Sequence, residues 1–153
     1  MTVRSRPIVE VAVGILLKEG REVLMAKRPD GKPYAGYWEF PGGKLETNES
    51  MVSALCRELK EELGVTISLN PNDFAELSIL EHDYPHAYVR LHVCLVKQWK
   101  GDPAGLEGQE LAWQSVFESR LSVDPVLPAA WPMIECLQNY LQQKYFKTDR
   151  MLA

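Results

Sequence analysis

The sequence predicts an α/β domain with a mixed β-sheet lying between helices. Three observations point there. Val- and Ile-rich runs separated by turn residues recur along the chain. Two segments, one early and one at the end, carry apolar residues at spacings of three and four. The 153 residues are 46% hydrophobic and 25% charged, the ordinary globular mixture. That length suits a single domain over 1–153, with its core at about 8–146, and neither an internal repeat nor an interdomain linker interrupts it.

Ile8–Leu17 reads as a strand, Gly20 as a turn and Val23–Arg28 as the second arm of a hairpin. Pro29, Asp30, Gly31 and Pro33 form a loop. Tyr37–Phe40 is a short aromatic stretch halted by Pro41-Gly42-Gly43. A helix follows, capped by Thr47 or Asn48, with Glu49 in its first turn where the dipole favours a carboxylate. Val52, Leu55, Leu59 and Leu63 make its apolar stripe, and Gly64 ends it. Phe74–Tyr84 and Tyr88–Trp99 read as longer strands joined around Pro85, and Leu111–Val116 as another. Pro132 fits the first turn of a last helix. Met133, Ile134, Leu137, Tyr140 and Leu141 form its buried face, and the tail Lys147–Ala153 frays.

The net charge of −4 argues against a protein that grips a nucleic-acid polymer through a basic surface. It leaves room for small phosphorylated ligands held through a metal. Cys56, Cys94 and Cys136 are too few and too scattered for a disulfide framework or a zinc site and read as reduced thiols. The apolar run Val11–Leu17 is too short to span a bilayer, and the N-terminus does not read as a signal peptide. A cytoplasmic protein without a membrane partner is the expectation.

The chemistry concentrates in Gly43–Val65. Glu58, Glu61 and Glu62 lie three and four apart on one helix face, where like charges repel. Such a face is either a solvated acidic surface or a site for hard divalent cations, which prefer carboxylate oxygens. Its neighbours favour the cation. Pro41-Gly42-Gly43 lets backbone approach a ligand closely, and Arg57 can form a forked pair with Glu49 that holds the loop to the helix.

This segment resembles the Nudix box: Gly43, five residues, Glu49, seven residues, then Arg57-Glu58-Leu59, Glu61-Glu62, Gly64 and Val65. At roughly 6–7% background each, its fixed identities would coincide by chance on the order of 10⁻⁸ per start position. The likeness runs from about Val9 to Leu141. Tyr37–Lys44, Val11–Gly14, Ala26–Pro29 and the Trp99–Gly101 and Gly105–Glu110 runs are similar to the MutT branch, the 8-oxo-dGTP diphosphatases.

The resemblance implies an α/β/α Nudix sandwich and a metal-dependent hydrolase that splits a nucleoside triphosphate into monophosphate and pyrophosphate. It implies Mg²⁺, with Mn²⁺ as a substitute. Glu58, Glu61, Glu62, Glu107 and the Gly42 carbonyl match the family's metal ligands. Lys44 matches a lysine reaching the phosphates, and Arg28 and Phe40 match residues lining the base pocket, with Tyr84 beside them. Arg57 and Glu49 are scaffold. The general base is one of Glu58, Glu61, Glu62 or Glu107.

The pattern departs at Pro128-Ala129-Ala130-Trp131-Pro132, where MutT-like members carry an Asn in place of Ala130. A methyl lacks the amide's paired donor and acceptor. CTP or dCTP is therefore an alternative substrate, and Trp131 either stacks on the base or serves as a core or rim residue. A non-catalytic nucleotide-binding regulator is a further alternative, disfavoured because all box glutamates are present. His82, His86 and His92 fall on or near adjoining strands, and Arg90 shares a strand face with His92 that could border the pocket.

Overall fold

The computed structural model describes residues 6–118 and 120–152, with side chains described through residue 144. The elements run β1 (Ile8–Lys18), β2 (Glu22–Lys27), β3 (Trp38–Glu39), β4 (Gly42–Lys44), α1 (Met51–Leu63), β5 (Thr66–Ile67), β6 (Phe74–Asp83), β7 (Tyr88–Val96), β8 (Trp99–Lys100), β9 (Leu111–Ser115) and α2 (Ala130–Leu152). The main sheet has the order β3-β2-β1-β7-β6, with β4 also on β1 and β9 also on β2. Only β1 and β7 pair in parallel among the described strands; the other pairings are antiparallel. The sheet is thus mixed, as expected.

β1 explains why one unbroken apolar run serves the centre of the sheet. Successive strand residues face opposite sides. Ala12 and Leu16 enter the core beneath α1, with Leu55, Leu59 and Leu63. Val13, Ile15 and Leu17 enter the core beneath α2, with Met133, Ile134 and Leu137. Gly14 lets α1 close on the sheet, since a Cβ there would lie 2.9 Å from Leu59 Cδ1.

Several elements depart from expectation. Ser50, not Thr47 or Asn48, caps α1; its hydroxyl accepts the Ser53 N–H at 3.1 Å. Asn48 instead takes a left-handed turn (φ 63°), a conformation Asn tolerates better than most residues. Glu49 therefore precedes the helix, and its carboxylate accepts the Glu46 N–H at 2.9 Å. Gly64 ends α1 with φ 75°, as its position predicts. The stretch read as one strand to Trp99 stops at Val96, and Trp99 starts β8, which pairs with the unanticipated β5. Pro41-Gly42-Gly43, read as halting the aromatic stretch, leads straight into β4; a Cβ on Gly42 would lie 2.0 Å from the Ala12 carbonyl oxygen. The three cysteines are unbridged. The fraying expected over 147–153 lies outside the described side chains. Among the described residues no helix is long and apolar enough to cross a membrane.

Candidate active site

Arg57 organises the acidic loop-helix. Its Nε and Nη2 donate to the two Glu49 oxygens at 2.8 Å each, the forked geometry that suits a guanidinium and a carboxylate. Nη2 also donates to the Lys44 carbonyl at 3.1 Å, tying β4 to α1. Nη1 donates to Glu58 at 2.8 Å and Glu61 at 3.4 Å. The guanidinium, with the Glu46 N–H, holds the Glu49 carboxyl down at about 2. Glu49 is thus a strut just outside the helix.

The loop's glycines make room for the carboxylates. A Cβ on Gly43 would lie 2.3 Å from Glu58 Cδ, so a side chain there would push Glu58 aside. The Gly42 N–H donates to Glu62 Oε2 at 3.1 Å. Burial, then the charges of Glu58, Glu107 and Glu39, push the Glu62 carboxyl up to about 8 despite that hydrogen bond. The repulsion expected from the spacing is therefore present, and a cation would relieve it.

Glu62 and Glu107 line a cavity of about 240 Å³ together with Arg28, Lys32 and Glu39. Arg28 is forked onto Glu39 at 2.8 and 3.1 Å, and its Nε donates to the Pro33 carbonyl at 2.7 Å. Burial raises the Glu39 carboxyl, partly offset by Arg28. The site thus gathers carboxylates and bases around one cavity, a composition suited to a polyanion that arrives with a cation.

Of the residues singled out from sequence, Arg28, Gly42, Glu62 and Glu107 line this cavity. Glu58 packs against Gly43, next to the cavity-lining Gly42, and the Glu61 side chain is 59% exposed beside Arg57. Lys44 reaches the site through its backbone bond to Arg57. Phe40 and Tyr84 lie in the α2-side core and not in the cavity wall. The Tyr84 hydroxyl accepts the Ala129 N–H at 3.3 Å, and its ring packs against Tyr34, His82 and His86. Trp131 is 52% exposed at the start of α2. Arg90 and His92 do share a face, but both engage Glu10 at 2.6 Å, and His92 borders a separate cavity with Met51 and Cys94.

Lys32, Glu39 and Gln109 line the cavity and escaped the sequence reading. Glu39 lies between Trp38 and Phe40, both buried beneath α2, so strand alternation turns it to the other face. That alternation was a usable signal. Gln109 bonds the backbone of Glu107 two residues before it and that of Glu62 in α1, and the second of these partners leaves no local pattern.

Among the described residues no three His, Cys, Asp or Glu side chains converge as a finished metal cage. Arg57 holds Glu58 and Glu61, while the Gly42 N–H holds Glu62. The donor set nevertheless fits a hard divalent cation. Its groups are oxygens, Gly43 leaves space for Glu58, and Glu62 is buried among like charges.

The NUDIX domain model matches residues 9–137. An 8-oxo-dGTP diphosphatase of Escherichia coli K12 is 37% identical over 130 residues, 85% of this chain and 96% of that relative. A CTP pyrophosphohydrolase of the same organism is 34% identical over 128 residues, 84% of this chain and 90% of that protein. Among solved structures, a MutT NUDIX hydrolase from Burkholderia pseudomallei superposes with a TM-score of 0.74 at 26% identity, covering 85% of this chain and 98% of that one.

Proposed function

The chain belongs to the Nudix hydrolase family, and from that premise we propose that it is a MutT-like 8-oxo-dGTP diphosphatase using Mg²⁺, with Mn²⁺ able to substitute. The products are 8-oxo-dGMP and pyrophosphate, and the role that suits this reaction is sanitation of the cytoplasmic nucleotide pool. The observation that carries the reading is the acidic box tied together by Arg57, with its Glu62 lining one cavity with Glu107, Arg28 and Lys32. The relatives named 8-oxo-dGTP diphosphatase support the substrate.

Glu58, Glu61, Glu62 and Glu107, with the Gly42 carbonyl, would hold the metal. Bound there, it would act as a Lewis acid on the phosphate oxygens. Arg28 and Lys44 orient the nucleotide, and Lys32 adds positive charge beside the phosphates. One of the four glutamates takes the proton from the attacking water as a new P–O bond forms and the anhydride bond breaks. Arg57 and Glu49 keep loop and helix in register. Trp131, exposed at the start of α2, stacks on the base, while Phe40 and Tyr84 support that end of the molecule from the α2-side core.

One observation favours a second reading. Ala130 is buried at 2% exposure and offers a methyl where an amide would read oxidised guanine. CTP or dCTP then competes as substrate, and the CTP pyrophosphohydrolase relative supports this. The test is kcat/KM for 8-oxo-dGTP, dGTP and CTP. A clear preference for the first is expected; equal values for the first two would retire the sanitation role, and a preference for CTP would establish the alternative.

A further inference from the structure

The last carbonyls of a helix have no partner within it. In α1 the chain between β8 and β9 takes them up. The Ala104 N–H donates to the Leu63 carbonyl at 3.0 Å, and the Leu106 N–H donates to the Glu62 carbonyl at 3.1 Å. Gln109 Nε2 donates to that same Glu62 carbonyl at 3.0 Å. The other end of its amide, Oε1, accepts the Glu107 N–H at 2.9 Å. One side chain thus grips the backbone of both Glu62 and Glu107. The fit is close, because a Cβ on Gly105 would lie 2.0 Å from the Gln109 carbonyl oxygen.

We propose that Gln109 is a positioning residue that fixes the loop carboxylate of Glu107 relative to the helix carboxylate of Glu62, both of which line the cavity. This rests on Glu107 and Glu62 being metal ligands. The task needs a donor and an acceptor on one short arm, which an amide supplies. Removing the amide leaves the Glu62 carbonyl bonded to the Leu106 N–H, so the helix end stays capped. What is lost is the register of Glu107. The effect therefore falls on cation affinity and not on the fold. Groups that orient metal ligands from behind typically matter by about 10- to 100-fold in affinity or activity.

The experiment is a Mn²⁺ titration of the full chain without nucleotide, by calorimetry, for wild type, Gln109→Met, Glu107→Gln and the double variant, each checked by circular dichroism. Gln109→Met should weaken Mn²⁺ binding about 10-fold. The double variant should bind no worse than Glu107→Gln alone, since Gln109 acts through Glu107. With metal saturating, the nucleotide KM of Gln109→Met should match wild type. Gln109→Asn, with its amide on an arm one methylene shorter, should fall between wild type and Gln109→Met. It also carries the cycle if Gln109→Met does not fold. Unchanged Mn²⁺ affinity in Gln109→Met beside a weakened Glu107→Gln would overturn the inference alone, as would additive losses in the double variant. Unchanged affinity in Glu107→Gln would overturn both the inference and the metal assignment beneath it.

Discussion

The acidic loop-helix and the base end of the molecule solve different problems. Glu49, Arg57, Glu58, Glu61 and Glu62 lie within a single loop and helix, and one guanidinium bonds the carboxylates of Glu49, Glu58 and Glu61 and the Lys44 carbonyl. Phe40, Tyr84, Ala130 and Trp131 come from three distant segments, and their positions depend on the α2-side core. The first region has its chemistry encoded locally, so it is visible as a spacing. The second has its chemistry encoded in packing, and it is where Ala130 departs from the MutT pattern. On the proposed function, catalytic competence and substrate choice are therefore separable in this chain.

The largest expected effect breaks the first region. Glu62→Gln keeps the shape but removes the charge, and kcat for pyrophosphate release should fall roughly 10²–10⁴-fold. Glu58→Gln and Glu61→Gln belong to the same set; near-wild-type turnover in both would contradict their assignment. Arg57→Lys comes next. A lysine keeps the charge but cannot fork onto Glu49 while holding Lys44, so a loss of about 10- to 100-fold is expected, read from steady-state kinetics.

A third prediction is pH dependence. The Glu62 carboxyl sits at about 8 against its ordinary 4.5, so the folded, metal-free protein holds a proton there that the unfolded chain has released. Stability of the metal-free protein should fall as pH rises through that window. A cation must displace the same proton, so Mn²⁺ affinity should rise by up to about tenfold per pH unit below 8. A flat affinity between pH 6 and about 8 would remove Glu62 from the ligand set. The smallest effect belongs to the second region. Ala130→Asn should raise the 8-oxo-dGTP over dGTP preference several-fold in kcat/KM and leave metal affinity unchanged. Overpacking at this buried position costs about 1–3 kcal/mol, which thermal denaturation would register.

How much of this was legible follows the same division. The stripe Val52, Leu55, Leu59 and Leu63 and the stop at Gly64 locate α1, and the Val- and Ile-rich run Ile8–Leu17 locates the central strand. The start of α1 was misplaced because Thr47, Asn48 and Ser50 all carry capping side chains, and only backbone geometry selects Ser50. β5 and β8 span two residues each, too short for any periodicity. Within the site, Arg57 and Glu49 were readable from spacing. Gln109 was not, because it joins Glu62 to Glu107 through backbone atoms that any residue possesses.

The most direct test of the central claim is the product released from 8-oxo-dGTP by the purified protein, with Mg²⁺ and with a chelator. The account predicts 8-oxo-dGMP and pyrophosphate in equal amounts with Mg²⁺ and no turnover once the metal is removed. Release of orthophosphate, or hydrolysis that continues without a divalent cation, would contradict it.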